Sequence, residues 1–84
     1  MKNPLIQKSI LKILARLPDV YLREETLAAE VEIAIDRQLK STEFADELIS
    51  LQERELIEKD ATILGDPVWH ITGKGKLAAR EGTR

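Results

Sequence analysis

The sequence has few of the residues from which disulfides, metal sites and aromatic binding sites are built. It contains no cysteine and one histidine, which excludes disulfides and argues against a zinc site. Aromatic residues make up 4% of the chain. No apolar run approaches the length of about 18 residues that spans a bilayer. We therefore expect no metal, no other cofactor, no membrane span and a cytoplasmic location.

The remaining composition is that of one folded domain. Apolar residues account for 43% of the chain and charged residues for 33%, which fits neither a disordered nor a membrane-embedded protein. Domains commonly contain about 50 to 250 residues. We therefore predict a single domain over residues 1–84.

The net charge of −2 is distributed unevenly along the chain. Residues 1–18 carry four bases and no acid, and residues 67–84 carry four bases and one acid. Residues 19–66 carry fourteen acids and five bases, a net charge of −9. Both ends are therefore basic and the middle is acidic, which bears on any contact with phosphate.

The spacing of apolar residues predicts three helices in the first two thirds of the chain. Asn3 and Pro4 favour a helix start, because Asn caps helices and Pro is accepted at the first helical position. Ser41 is the predicted N-cap of the third helix. The three predicted helices cover residues 4–17, 24–33 and 42–54.

Two segments between these helices leave alternatives open. Residues 19–22 form either a linker or a brief strand. Residues 36–40 predict a turn with Leu39 as its apolar anchor, but residues 37–40 could instead extend the third helix and make its start basic.

The last third of the chain predicts a β-hairpin and a short helix. Residues 57–64 have strand character, residues 65–67 (GDP) predict a turn, and residues 68–72 alternate as a half-buried strand. Trp69 is expected in the core and His70 is expected to be an ordinary strand residue. Residues 73–75 predict a loose joint before one or two helical turns over residues 76–80, and residues 81–84 a frayed tail.

No group of residues fits a catalytic or phosphate-loop site. His70 would need an exposed cleft and a partner to act as a general base, and adjacent acids on a helix do not face each other. Residues 73–76 (GKGK) lack the full glycine-rich spacing of a phosphate loop. We therefore expect that the protein is not an enzyme.

The order of these elements and two short motifs resemble the winged helix-turn-helix family. Residues 51–57 (LQERELI) look like the end of that family's third helix, and residues 69–75 (WHITGKG) are similar to the second strand of its wing. The resemblance implies a mostly helical α+β fold, with a three-helix core followed by a two-stranded β-hairpin wing and a short C-terminal helix.

One position departs from the family pattern at the end of the third helix. Glu55 stands where the family often has glycine in a left-handed conformation. Either the third helix ends differently here, or Glu55 adopts that conformation at a cost of about 1 kcal/mol.

The resemblance implies a small DNA-binding protein that regulates transcription. In winged-helix proteins the third helix enters the major groove and the wing touches phosphate or the minor groove. The implied partners are double-stranded DNA and a second copy in a homodimer. The residues expected to contact nucleic acid are Arg37, Gln38, Lys40, Ser41, Thr42, Lys59, Lys74 and Lys76. Glu43 is a further candidate reader at the start of the third helix.

The acidic character of the third helix supports an alternative function. Its outer surface is expected to carry Glu43, Asp46, Glu47 and Glu53, with Arg54 as the one base. Because neutralisation of phosphate supplies essentially all non-specific DNA affinity, these acids oppose DNA binding. The alternative is a winged-helix protein-interaction module whose acidic third-helix face binds a basic partner protein.

Overall fold

A computed structural model describes residues 3–81 of the chain. The described part contains four helices and three short strands. In chain order they are α1 (Pro4–Arg16), β1 (Leu22–Arg23), α2 (Glu24–Ile35), α3 (Ser41–Glu53), β2 (Ile57–Ala61), β3 (Pro67–Ile71) and α4 (Gly73–Glu81). The predicted order of three helices, a hairpin and a last helix is confirmed, and β1 adds a third strand.

The first helix, α1, is the centre of the domain and contacts α2, α3, α4 and β3. The Asn3 side chain caps it by accepting a hydrogen bond from the Leu5 N–H at 3.0 Å. Its stripe of Ile6, Ile10 and Leu14 is completely buried. The same core takes in Leu27, Leu48, Leu51, Leu56, Ile57, Trp69 and Ile71. Burial of this apolar surface holds the other elements around α1.

The sheet is antiparallel with strand order β1-β3-β2. Leu22 pairs with Trp69, so the end of the segment left open as linker or strand is a strand. The second strand ends at Ala61, three residues earlier than predicted. The reason is a tight turn, in which Gly65 donates a backbone hydrogen bond to the Thr62 carbonyl at 2.8 Å.

The boundaries of α3 differ from the prediction at its start. Lys40 is the N-cap and Ser41 is the first helical residue, so the predicted Ser41 cap is wrong. Residues 37–40 connect the two helices and do not extend α3, because Lys40 has an extended backbone with φ −72° and ψ 143°. Helix α2 ends at Ile35, and its C-cap Asp36 has a left-handed φ of 56°. Beyond α3, Glu55 has a φ of 63°. The left-handed alternative for Glu55 is therefore the one that the chain adopts.

The last helix, α4, begins at Gly73, so the predicted loose joint is wrong. The Thr72 hydroxyl oxygen accepts a hydrogen bond from the Gly75 N–H at 2.9 Å and caps the first turn. A Cβ atom at Gly75 would collide with the carbonyl oxygen of Leu56. Glycine is therefore needed for α4 to lie this close to the start of β2. Of the predicted frayed tail, Glu81 is helical and residues 82–84 lie outside the described residues.

Candidate nucleic-acid interface

One face of α3 is turned to solvent along the whole helix. Residues on this face recur every three or four positions, which places them on one side of a helix. They are Thr42, Ala45, Asp46, Ile49, Gln52 and Glu53. The opposite face enters the core through Phe44, Leu48 and Leu51. One face of α3 is thus packed in the core, and the opposite face is accessible to a partner.

The turn before α3 is held to the helix by a two-point ion pair. The Arg37 guanidinium donates to both carboxyl oxygens of Glu43, at 3.2 and 2.9 Å. It also donates to the Gln38 carbonyl oxygen at 3.1 Å. The hydrogen bond from Arg37 lowers the pKa of Glu43 and raises the pKa of Arg37. Arg37 is therefore engaged, while Gln38, Lys40, Ser41 and Thr42 are exposed beside it.

Glu47 does not lie on the outer surface of α3, so the prediction that it does is wrong. The residue is 1% exposed. Its carboxyl group accepts hydrogen bonds from the Asn3 backbone N–H at 2.6 Å and from the Gln7 side-chain amide at 2.8 Å. Gln7 in turn accepts a bond from Arg54 at 3.1 Å. This polar network joins the start of α1 to the second half of α3.

Burial and pairing change the charge that α3 presents. Four acids were expected on its outer surface. Glu47 is buried, and Glu43 is neutralised by Arg37. Asp46 and Glu53 are the two of the four that remain exposed without a described ion pair. The face is therefore much less acidic than the sequence suggests.

Lys59 and Lys74 lie together near the C-terminal end of this face. Both line a groove of about 590 Å³ with Gln52 and two acids, Glu55 and Glu58, where β2 meets the start of α4. The Lys59 ammonium lies 5.9 Å from the centre of the Trp69 ring, within the range of a cation–π contact. The structure thus brings two of the predicted contact residues beside Gln52.

Lys76 is two residues from Lys74 but faces another side of the molecule. It lines a groove between α1 and α4 together with Lys12 and Arg16. The predicted contact residues therefore fall into three places, which are the turn and start of α3, the groove beside Gln52, and the α1–α4 groove.

Trp69 and His70 both contact other parts of the fold through their side chains. Trp69 is 2% exposed and donates from its indole N–H to Glu24 at 2.9 Å, so its predicted core role is confirmed. The His70 Nε2 lies 2.6 Å from the Pro18 carbonyl oxygen, and its ring stacks on Tyr21. Across residues 3–81, no three metal-binding side chains gather at one point. The same residues contain no helix that is long and apolar enough to cross a bilayer.

Comparison with known proteins identifies the architecture. No protein-family model matches the sequence, and no curated protein matches it. A winged-helix DNA-binding protein from STIV matches with a TM-score of 0.75 and 18% identity, over 98% of this chain and 88% of that one. This chain has the winged-helix fold.

Two further solved structures share this winged-helix architecture. RosR of H. salinarum matches with a TM-score of 0.81 and 19% identity, over 93% of this chain and 68% of RosR. A MarR-family transcriptional regulator from Silicibacter pomeroyi matches with a TM-score of 0.76 and 16% identity. That match covers 92% of this winged-helix chain but 47% of the regulator.

Within this fold the β2–β3 hairpin is the wing. We call its turn, residues 62–66, the wing tip. The sequence predicts the wing and α3 but not the Glu47–Gln7–Arg54 network. The available signal was Gln7, a polar residue set between Ile6 and Ile10 on the buried side of α1, which requires a polar partner.

Proposed function

We propose that this winged-helix domain binds double-stranded DNA through α3 and the base of the wing, and that it regulates transcription without enzymatic activity. The observation that carries this proposal is that two of the four expected carboxyl groups are not free on the exposed face of α3, since Glu47 is buried and Glu43 is paired with Arg37. Phosphate repulsion at the face is thereby reduced. A cytoplasmic location and a homodimer remain predictions that fit this role.

The proposed contact surface runs from the start of α3 to the groove beside Gln52. Lys40, Ser41 and Thr42 stand at the N-terminal end of α3, where backbone N–H groups also favour an anion. Lys59 and Lys74 stand at the other end. Thr42 and Gln52 are the side chains on the exposed face that can donate to and accept from base edges.

The experiment is a fluorescence anisotropy titration of the folded protein against a labelled mixed-sequence duplex. If the three lysines each neutralise one phosphate, affinity falls about 40-fold between 50 and 200 mM salt. Lys40→Ala, Lys59→Ala and Lys74→Ala should each weaken binding and reduce the salt slope by about one. The charge control is Lys8→Ala, because Lys8 is an exposed base on α1, outside the proposed contact surface. Lys76→Ala tests whether the DNA path reaches the α1–α4 groove.

A second function is favoured by the middle of the α3 face. Ile49 is 50% exposed there, between Asp46 and Glu53. An apolar side chain flanked by acids suits a basic protein surface better than a duplex. Absence of duplex binding at 50 mM salt would contradict the DNA proposal and favour a basic protein partner.

A further inference from the structure

The groove between α1 and α4 has an apolar lining and a basic rim. Its volume is about 830 Å³. Leu5, Ile13 and Ala34 contribute apolar surface, and Lys12 and Arg16 stand on the rim. Lys76 and Arg80 extend the rim along α4. An occupant that matches this groove has an apolar centre and negative flanks.

The wing tip has that chemistry. Ile63 and Leu64 are 102% and 83% exposed, more than any other large apolar side chain among residues 3–81. Asp66 closes the tip, where its carboxyl group lies 3.7 Å from the Arg23 guanidinium, and Asp60 precedes the tip on β2. The Thr62 N–H donates to the Asp66 carbonyl at 2.9 Å, and the Asp66 N–H donates to the Thr62 hydroxyl at 3.1 Å. The tip is thus an ordered turn that presents two apolar side chains.

The tip is poorly suited to nucleic acid. The tip contains one acid, Asp66, and no base, so it has no side chain that can neutralise phosphate. Ile63 and Leu64 are large apolar side chains, and burying them against another apolar surface is favourable. Lys59, the base in the wing, lies on β2 and outside the tip.

We propose that the wing tip of one copy of this chain inserts into the α1–α4 groove of a second copy. Ile63 and Leu64 would bury against Leu5 and Ala34, which are exposed in the groove. Asp60 and Asp66 would lie near the basic rim. The contact would bring bases of α1 and α4 near part of the acidic middle of the chain, since the wing tip lies within residues 19–66. The proposal stands independently of DNA binding.

The contact is heterologous, which means that each copy uses two different surfaces. A symmetric groove-to-groove contact would place Lys12 and Arg16 against their own copies, and a tip-to-tip contact would place acid against acid. Like charges brought together oppose association. A heterologous contact can join a third copy, so the assembly grows with concentration.

The test is sedimentation velocity of the folded protein from micromolar to millimolar concentration. The wild type should form species above the 9.5 kDa monomer that grow with concentration and shrink with added salt. The double variant Ile63→Ser with Leu64→Ser removes the apolar side chains of the tip. Lys12→Glu reverses one charge on the rim, and Arg16→Glu is a second rim variant. Each should remain monomeric. The matched controls Ile33→Ser and Lys8→Glu change exposed residues that do not line the groove, and should assemble like the wild type.

Mixing the two defective variants gives the sharpest result. The tip variant keeps its groove and the rim variant keeps its tip, so an equal mixture should form a heterodimer that cannot grow further. A monomeric wild type at the highest concentration would overturn the proposal. So would a mixture that stays monomeric, or a dimer that the rim variants abolish and the tip variant leaves intact, because that pattern indicates a symmetric contact through the groove.

Discussion

Glu43 and Glu47 lie four residues apart on α3, and the fold uses their carboxyl groups differently. Glu43 is at the surface and forms an ion pair with Arg37, six residues earlier. Glu47 is buried and accepts hydrogen bonds from Gln7 of α1 and from its N-cap Asn3, which lie 40 and 44 residues earlier in the chain. The first attaches a turn to its own neighbouring helix, and the second joins two helices distant in sequence. The number of acids in a helix sequence therefore does not give the charge on the exposed surface of the helix.

The largest expected effect comes from removing the buried carboxyl group. Glu47→Ala should lower the free energy of unfolding by about 2–3 kcal/mol, because the Gln7 amide and the Asn3 N–H lose a buried acceptor. Urea unfolding followed by circular dichroism measures this change. Glu43→Ala, which removes an exposed carboxyl group from the same helix, should be much milder.

The isosteric change Glu47→Gln sharpens the same comparison. It keeps the volume of the side chain but replaces one acceptor by a donor, which faces either Asn3 N–H or the Gln7 amide. Its stability should lie between the wild type and Glu47→Ala. Equal losses for Glu43→Ala and Glu47→Ala would show that the two carboxyl groups do not differ in the way described.

A smaller effect is expected from the backbone at the C-terminal side of α3. Glu55→Gly should raise the free energy of unfolding by about 0.5–1 kcal/mol, since glycine adopts the left-handed φ without steric cost. Asp36→Gly, at the turn before α3, should gain less because Asp tolerates this conformation better. Thermal unfolding of both variants checks the order, and a loss of stability in Glu55→Gly would contradict it.

The smallest effect concerns pH and the exposed ion pair. The pKa of Glu43 is lowered in the folded state, so the pair contributes stability above the ordinary carboxyl pKa. That contribution disappears as the pH falls through the lowered pKa. The stability difference between the wild type and Arg37→Ala should therefore shrink in acid, which urea unfolding at neutral and acidic pH measures. In a Glu43→Gln background the difference should no longer depend on pH.

Local patterns in the sequence were sufficient for most of the fold. The apolar stripe of α1 and the alternation around Trp69 are periodic, so they predict a helix and a strand without knowledge of neighbours. Glu47 has an ordinary helical spacing, and its burial depends on Asn3 and Gln7, which only the tertiary fold brings near. For the same reason the sequence could not separate Lys74 from Lys76, which are close along the chain and face different grooves.

At the start of α4 a local sequence pattern predicts the wrong structure. Two glycines at residues 73–75 suggested a flexible joint, because glycine disfavours helices. In the structure, Gly75 lies against the carbonyl of Leu56, and the helix is accepted because packing outweighs propensity. The low helix propensity of glycine is thus outweighed by packing against a segment distant in sequence.

The close approach at Gly75 also bears on how relatives of this protein can be recognised. The solved structures that share its fold agree with it at 16 to 22% of positions, a level at which overall identity says little about ancestry. Ile33 is 77% exposed, so a substitution there leaves the core unchanged, whereas residue 75 cannot gain a side chain unless α4 moves. A distant sequence that keeps glycine there, at the same offset from the residue aligned with Leu56, would therefore be a better candidate for descent than one with a higher total score and an alanine.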